Sequence, residues 1–405
     1  MGIKMIELPI YQTEDDAQEV CPDNWTVEQA QEAFEKLLTG RIWERKELSL
    51  FGQSVVLDQS LDGIHGYHDG PAGVNASVDA PVITFANHTC AMRFMTRPFS
   101  VIQNVFPIAG LPGKTDTRFL FYWLNGRVHL EEYKGHFPDL RRLWFPLPPL
   151  AEQRAIAGVL GALDDKIESN RRQHTLIEQL VETSFQGICE NFSGEYQVMG
   201  DLVEQGVSGV WGSETQQSES EVCVTCLRGV DLNSLATGVI PSAPLRWVSA
   251  GQSASRNPQE GEIWVEASGF RCGRSVVIGS HTSSLFRQPV RNSNFVKRLT
   301  PRKSVRDSYI AWLSLRKIYA SGEINNFRTG TSIRNLDVDG ILKNVRVPIL
   351  DDAPASQLEG LVQCLLSPGR SKESSTLESL RDALLPELLS GRLRVKDAES
   401  MMEDL

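Results

Sequence analysis

The densest group of side chains able to do chemistry in this 405-residue chain lies between residues 271 and 334. Thirteen Lys and Arg stand there against only two carboxylates, Asp307 and Glu323, a net charge of +11. Guanidinium groups hold phosphates and guanine edges in bidentate fashion, so a block of this composition suits a polyanionic backbone. Arg271, Arg274, Arg291, Lys297, Arg298, Arg302 and Lys303 are the candidates for phosphate or base contact. Arg328 and Arg334 flank a Gly-Thr-Ser whose backbone and hydroxyls can also donate to phosphate. A milder excess of +4 over residues 81–146 supplies a parallel set: Arg93, Arg97, Lys114, Arg118 and Lys134. His65, Tyr67 and His68 lie on a Gly-rich loop and could reach base edges, although the same composition also makes a structural turn.

The whole-chain charge of −10 conceals this block. Residues 1–40 hold nine acids against Lys4 and Lys36, and residues 397–405 hold four acids and no base. The acidity therefore belongs to the two ends, and the body between them is close to neutral with one strongly basic stretch.

Catalytic patterns are missing. There is no phosphate-binding Gly-Lys loop, no H-E-x-x-H, no dinucleotide fingerprint and no G-x-S-x-G. The Asn-Pro-Pro-Tyr of amino-methyltransferases is absent, since Asn257-Pro258 continues as Gln-Glu. Glu44-Arg45-Lys46 offers an E-x-K nuclease fragment without a fitting aspartate upstream. Cys223 and Cys226 form a C-x-x-C, but no second pair completes a zinc set, and the run EVCVTCLRGV reads as a strand. We therefore expect no catalytic residue and no metal. A hydrophobic fraction of 41% without an apolar run of about 20 residues excludes wholesale disorder and a spanning helix, and places the chain in the cytoplasm by default.

The elements that must position these groups emerge from an internal repeat of about 200 residues. Pro148 and Leu150 match Pro348 and Leu350, and Glu178 in LIEQL matches Glu378 in TLESL. FYWLNGR around Trp123 resembles IAWLSLR around Trp312, and LLTGRI at 37–42 resembles LLSGRL at 388–393. Between the matched segments lie short β-rich runs broken by Gly, Asp and Asn clusters, together with an amphipathic helix near Asp307 carrying Ile310, Leu313 and Ile318. After Pro149 the pattern changes. Ile156, Leu160, Leu163, Ile167, Asn170, His174, Ile177 and Val181 alternate at spacings of four and three, a heptad seam that predicts a helical rod from Arg154 to Phe185, about 48 Å long. Asn170 in such a seam fixes register and partner. In the second copy Leu358, Leu361 and Leu365 begin a stripe, Pro368-Gly369 interrupts it, and Leu377, Leu380, Leu384 and Leu388 resume it. The expected organisation is an acidic N-terminal helical segment over 1–40, a first domain over 41–146 and a central helical spacer over 147–190. A second domain over 191–348, a C-terminal helical spacer over 349–395 and an acidic tail over 396–405 complete it.

Pro146-Leu147-Pro148-Pro149-Leu150-Ala151-Glu152-Gln153-Arg154 with the helix behind it, and LRDALLPELLSGRL at 380–393, resemble the specificity (S) subunit of type I restriction-modification systems. LRGVDL at 227–232, GEIWVEASG at 261–269 and GTSIRNL at 330–336 add to the resemblance, which covers almost the whole chain. It implies an α+β fold with two target recognition domains, each reading one half of a split site in double-stranded DNA. The long helices would form an antiparallel coiled-coil spacer, a ruler that also docks two methyltransferase subunits. The resemblance further implies no catalytic centre and no cofactor in this chain. S-adenosylmethionine belongs to the methyltransferase partners, and restriction subunits are possible additional partners. Two other classes remain at this level: a helical protein–protein scaffold without DNA readout, which has no need of the +11 block, and a subunit with intrinsic nuclease activity.

Overall fold

The computed structural model describes residues 8–60, 63–130, 134–330 and 334–398. They fall into two compact units, Met1–Asp165 with Glu378–Leu405, and Lys166–Leu377.

In the first unit a short helix α1 (Glu14–Gln18) precedes β1 (Thr26–Gln29), β2 (Phe34–Lys36), β3 (Ser54–Leu57) and β4 (Ile64–His68). There follow β5 (Val82–Ala86), β6 (Met92–Met95), β7 (Ser100–Val101) and β8 (Val105–Gly110), then α2 (Thr117–Leu124), α3 (Phe137–Arg142) and β9 (Trp144–Leu147). β9 feeds α4 (Leu150–Glu190), whose first part belongs to this unit. The strands make a sheet of order β2-β8-β5-β6, a second of order β4-β3-β7, and the pair β1-β9. β5 (VITFA) is buried along its whole length, as an apolar central strand should be. Phe119, Leu120, Trp123 and Leu124 of α2 are likewise buried. Asp116 caps α2 by accepting from Phe119 N at 2.9 Å.

The second unit contains β10 (Tyr196–Val198), β11 (Val203–Gln205), β12 (Glu221–Leu227), α5 (Gly229–Ala236), β13 (Leu245–Ser249) and α6 (Ala250–Ala254). Then come β14 (Ile263–Glu266), β15 (Ser275–Val277), β16 (Val290–Asn292), β17 (Val296–Pro301) and α7 (Val305–Ala320). The chain continues through β18 (Arg328–Thr329), β19 (Asn335–Leu336), α8 (Val338–Asn344), β20 (Arg346–Pro348), α9 (Asp352–Leu365) and α10 (Pro368–Leu389). The sheets are β11-β17-β14-β15, β13-β12-β16 and β10-β20, with β18-β19 added. Strand for strand this is the first unit again, and the senses agree: β3 and β12 each pair antiparallel with the following strand and parallel with β7 or β16. The weak sequence repeat is thus a duplication of topology. Its core here is Trp312, Tyr309, Leu313 and Leu315 of α7 packed with Ile263, Val265 and Leu299.

Two boundaries differ from the sequence reading. Among the described residues, 8–40 do not form the expected helical segment; residues 1–7 of that stretch lie outside the described residues. Pro9 and Pro22 interrupt any helix, and the apolar residues Leu8, Ala17, Trp25, Ala30 and Phe34 lack helical spacing. Instead β1 pairs with β9 in the register Thr26↔Leu147 to Gln29↔Trp144, so this stretch completes the first domain. Arg127 fastens it by donating from Nε to Pro9 O at 3.0 Å. The helical rod, in turn, is longer than Arg154 to Phe185. It runs for 41 residues, about 60 Å.

The helices pair antiparallel inside each unit. In the first, Asp164 of α4 accepts from Arg381 of α10 at 2.7 Å, and Glu152 accepts from Arg394 at 3.3 Å. In the second, Asn170 donates to Glu373 Oε2 at 2.7 Å and to Ser374 Oγ at 3.4 Å, with Lys166 3.3 Å from Glu373. Ile156, Leu160, Leu163, Ile167, Asn170, His174 and Val181 are all buried. Ile177 is half-buried, as are Leu377 and Leu380, while Leu384 is buried. The second helix breaks where Pro368 demands it: α9 ends at Leu365 and Pro368 opens α10, a first-turn position at which no amide is missed.

Asp164 serves two donors, since Tyr122 OH also donates to it at 2.6 Å. Arg381→Ala strips this half-buried carboxylate of its counter-charge and is expected to cost about 2 kcal/mol in urea unfolding of the full chain. Arg392→Ala, which removes the exposed pair with Glu387, leaves the unfolding curve in place.

Candidate nucleic-acid interface

The basic block converges on one end of β14. Beyond Glu266 the chain turns through Ala267–Arg274 into β15, and Gly269 (φ +117°) and Gly273 (φ +100°) allow the turn. At Gly273 a Cβ would meet Ile324 Cγ1 at 2.6 Å. The loop is tied down on both flanks. Gly269 N donates to Arg334 O at 2.9 Å, and Gly273 N to Glu266 O at 2.7 Å. Arg328 donates from Nε and Nη2 to Cys272 O at 3.0 and 2.6 Å. Arg271 and Arg334 are exposed on this tip, and Arg274 is half-buried beside it. Glu266 sits beneath, buried, 3.3 Å from Arg274. Burial raises its carboxyl above the usual range against the pull of Arg274, Arg271 and Arg328. A field of four guanidiniums over one buried carboxylate is net positive and fits an anionic ligand.

Other candidates are placed differently. Lys303 is exposed, Arg302 is exposed and lies 3.1 Å from Glu204, and Lys297 is half-buried opposite Val265. Arg291 and Arg298, named above as candidates for DNA contact, are instead turned into the interior. Arg291 is buried and donates to Ser253 O at 2.7 Å and Ser253 Oγ at 2.8 Å. Arg298 is buried against Glu262 and donates to Asn257 O at 2.9 Å. Both lie on strands whose inward faces the charge count could not reveal. Thr331 and Ser332 of the Gly-Thr-Ser lie outside the described residues.

In the first unit the matching turn is Asn87–Cys90, between β5 and β6. Its backbone follows the same plan. Asn87 O accepts from His136 N at 2.9 Å just as Ala267 O accepts from Leu336 N, and His88 Nδ1 lies 3.0 Å from Lys134 O. Lys134 and Arg97 are exposed, with Lys134 3.6 Å from Asp139. Arg93 is turned inward and donates to Asp58 O at 3.0 Å. Lys114 pairs with Glu28 at 2.9 Å. Arg118 reaches α4, donating to Asp165 Oδ2 at 3.1 Å and Gly161 O at 3.3 Å, which makes it a docking residue between domain and helix. His65, Tyr67 and His68 occupy strand β4, not a loop. His68 is buried, stacks on Trp43 at 3.9 Å and lies 2.9 Å from Ser100 Oγ, and burial lowers its pKa.

Three residues escaped the sequence reading. Buried Gln153 joins domain to helix: Nε2 donates to Pro148 O at 2.8 Å and Lys114 O at 3.0 Å, while Oε1 accepts from Asp116 N at 2.8 Å. Arg316 does for α7 what Arg118 does for α2, donating to Glu178 and Glu182 of α4 at 2.8 and 2.9 Å. Phe270, 82% exposed, stands at the centre of the basic tip. Its signal was present, an aromatic between glycine and arginine, but a lone Phe ordinarily reads as core. His174, placed in the seam, also donates from Nε2 to Ala236 O at 2.8 Å and so holds α5 to α4.

A duplicated α+β domain carried on antiparallel helices is the fold of S subunits of type I restriction-modification systems. The crystal structure of such a subunit from M. genitalium superposes with a TM-score of 0.57 at 16% identity, covering 90% of this chain and 96% of that one. An HsdS subunit from Thermoanaerobacter tengcongensis matches over 92% and 98% at 16% identity, with a TM-score of 0.29. In sequence, 74 residues are 40% identical to the "Putative type I restriction enzyme MjaX specificity subunit" of Methanocaldococcus jannaschii. That match spans 16% of this chain and 17% of the relative's length. No protein-family model matches the chain. Among the described residues no helix is long and apolar enough to cross a membrane.

The division between buried and exposed arginines can be measured. Arg298→Ala leaves Glu262 buried without its partner and is expected to lower stability by about 3 kcal/mol in urea unfolding. Arg271→Ala and Arg334→Ala should leave the midpoint unchanged, because neither side chain supports the fold. A large loss from either exposed arginine would contradict this placement.

Proposed function

We propose that this chain is a non-catalytic, sequence-specific DNA-binding subunit. Each of its duplicated domains reads one half of a bipartite site in double-stranded DNA. The helices α4, α9 and α10 carry two methyltransferase subunits to that site, with restriction subunits as further possible partners. The cofactor of the assembly, S-adenosylmethionine, sits in the methyltransferase subunits, and the complex works in the cytoplasm.

The observation that carries this reading is the repetition of one topology on one continuous helix, with the second copy presenting a rigid basic hairpin tip. A two-stranded ribbon of this kind fits the major groove, and two such readers give a split site. The likeness to S subunits supports the same conclusion. A pure scaffold would not need four arginines gathered over a tied-down tip.

The chain is expressed with methyltransferase subunits and the bound duplex is titrated with salt. With about six to ten phosphates neutralised, log K should fall against log[salt] with a slope of roughly −5 to −9. Replacing Arg302 and Lys303 together by Ala should weaken all duplexes alike and flatten the slope by roughly 1 to 2. A slope near zero for the intact complex would overturn the proposal.

A further inference from the structure

Phe270 is the most exposed large apolar side chain among the described residues of its unit, at 82%, and Phe295 follows at 61%. Both stand at the same end of β14, because Ala267 N donates to Phe295 O at 2.8 Å. The tip that carries Phe270 is held by Gly269, Cys272 and Gly273 through the bonds to Arg334, Arg328 and Glu266 described above, so the ring projects from a fixed backbone. Arg334 lies over it, 6.0 Å from the ring centre, and exposed Arg271 is its neighbour in the chain. The nearby carboxylate, Glu266, is buried and paired with Arg274. A ring kept in water on a positively charged support matches a ligand that is anionic yet offers an apolar patch among hydrogen-bond acceptors. The major groove at thymine has that character: a C5-methyl beside O4, with guanine N7 and O6 on adjacent pairs for an arginine. The first unit lacks the feature. Its turn Asn87–Cys90 contains no Phe, Tyr or Trp, and Asn104, whose carbonyl accepts from Asn87 N at 2.9 Å, takes the place of Phe295.

We propose that Phe270 is a specificity-determining contact of the second unit, packing against the C5-methyl of a thymine in the half-site that this unit reads. The proposal rests on the DNA-recognition reading and assigns thymine-methyl recognition to one half-site only.

The test uses the chain complexed with its methyltransferase subunits and a duplex whose target has been found by mapping methylated adenines. Each thymine is replaced in turn by uracil, which deletes only the methyl group. One replacement, in the second unit's half-site, should weaken binding about fivefold. Phe270→Ala should weaken binding to the thymine duplex by a similar factor and respond no further to that uracil. Phe270→Leu should recover part of the loss. Equal binding of all thymine and uracil duplexes, or unchanged binding by Phe270→Ala, would overturn the assignment while leaving DNA recognition intact. A rise in 2-aminopurine fluorescence beside the site, lost in Phe270→Ala, would also overturn it, because the ring would then be a wedge between base pairs. Absence of any methylated target or duplex binding by the wild-type complex would instead defeat the DNA-recognition reading itself.

Discussion

A helix of 41 residues stays ordered only if its apolar seam is covered along its length, and the rest of this structure follows from how that cover is supplied. The C-terminal helices run back along α4 in the opposite direction and close the seam within each unit. In the first unit the register is fixed by Asp164 with Arg381, and in the second by Asn170 with Glu373 and Ser374. Both sets of contacts are polar and stand within a seam that is otherwise built of apolar residues such as Leu160, Leu163 and Ile167. Apolar packing alone would tolerate a slip by one heptad. A slip here would leave a nearly buried Arg381 and a buried Asn170 without partners, at a cost of several kcal/mol.

The domains use the same helix as a platform. In each, the first and last strands pair, β1 with β9 and β10 with β20, so that the chain enters and leaves at one edge. Such a module can be inserted into a helical frame without disturbing it. Each module then docks through a helix of its own, Arg118 of α2 on Asp165 and Arg316 of α7 on Glu178 and Glu182. The loops between β5 and β6, or β14 and β15, lie beyond these anchors and are free to differ. The first is short and polar, and the second is longer, basic and aromatic. In the function proposed above, duplication of the frame with divergence of the tips serves a reader of two unlike half-sites.

Much of the frame was legible because it is periodic. The heptad from Ile156 to Val181 and the interruption at Pro368 are statements about spacing, and spacing survives in sequence. The α+β character of the domains was legible from short apolar runs between turn residues. The N-terminal stretch was not, because β1 exists only through its pairing with β9, more than a hundred residues away. The basic tip was half legible. Charge counting found Arg271, Arg274, Arg328 and Arg334 together, but it could not separate them from Arg291 and Arg298. Those face Ser253 and Glu262 in the interior, and strand facing depends on register that no local pattern fixes. Gln153 and Arg316 were missed for a related reason: their partners are distant in the chain.

In the function proposed above, the length of α4, held in register by α10, sets the separation of the two half-sites. Seven residues are inserted after Ile167 of α4 and seven after Leu377 of α10, so that Asp164 still meets Arg381 and Asn170 still meets Ser374. The paired insertion adds about 10.5 Å of helix, equivalent to roughly three base pairs. Mapping methylated adenines made by the variant complex should then show both half-sites unchanged and the spacer between them longer by two to four base pairs. An active variant that methylates sites with the original spacer would contradict the claim.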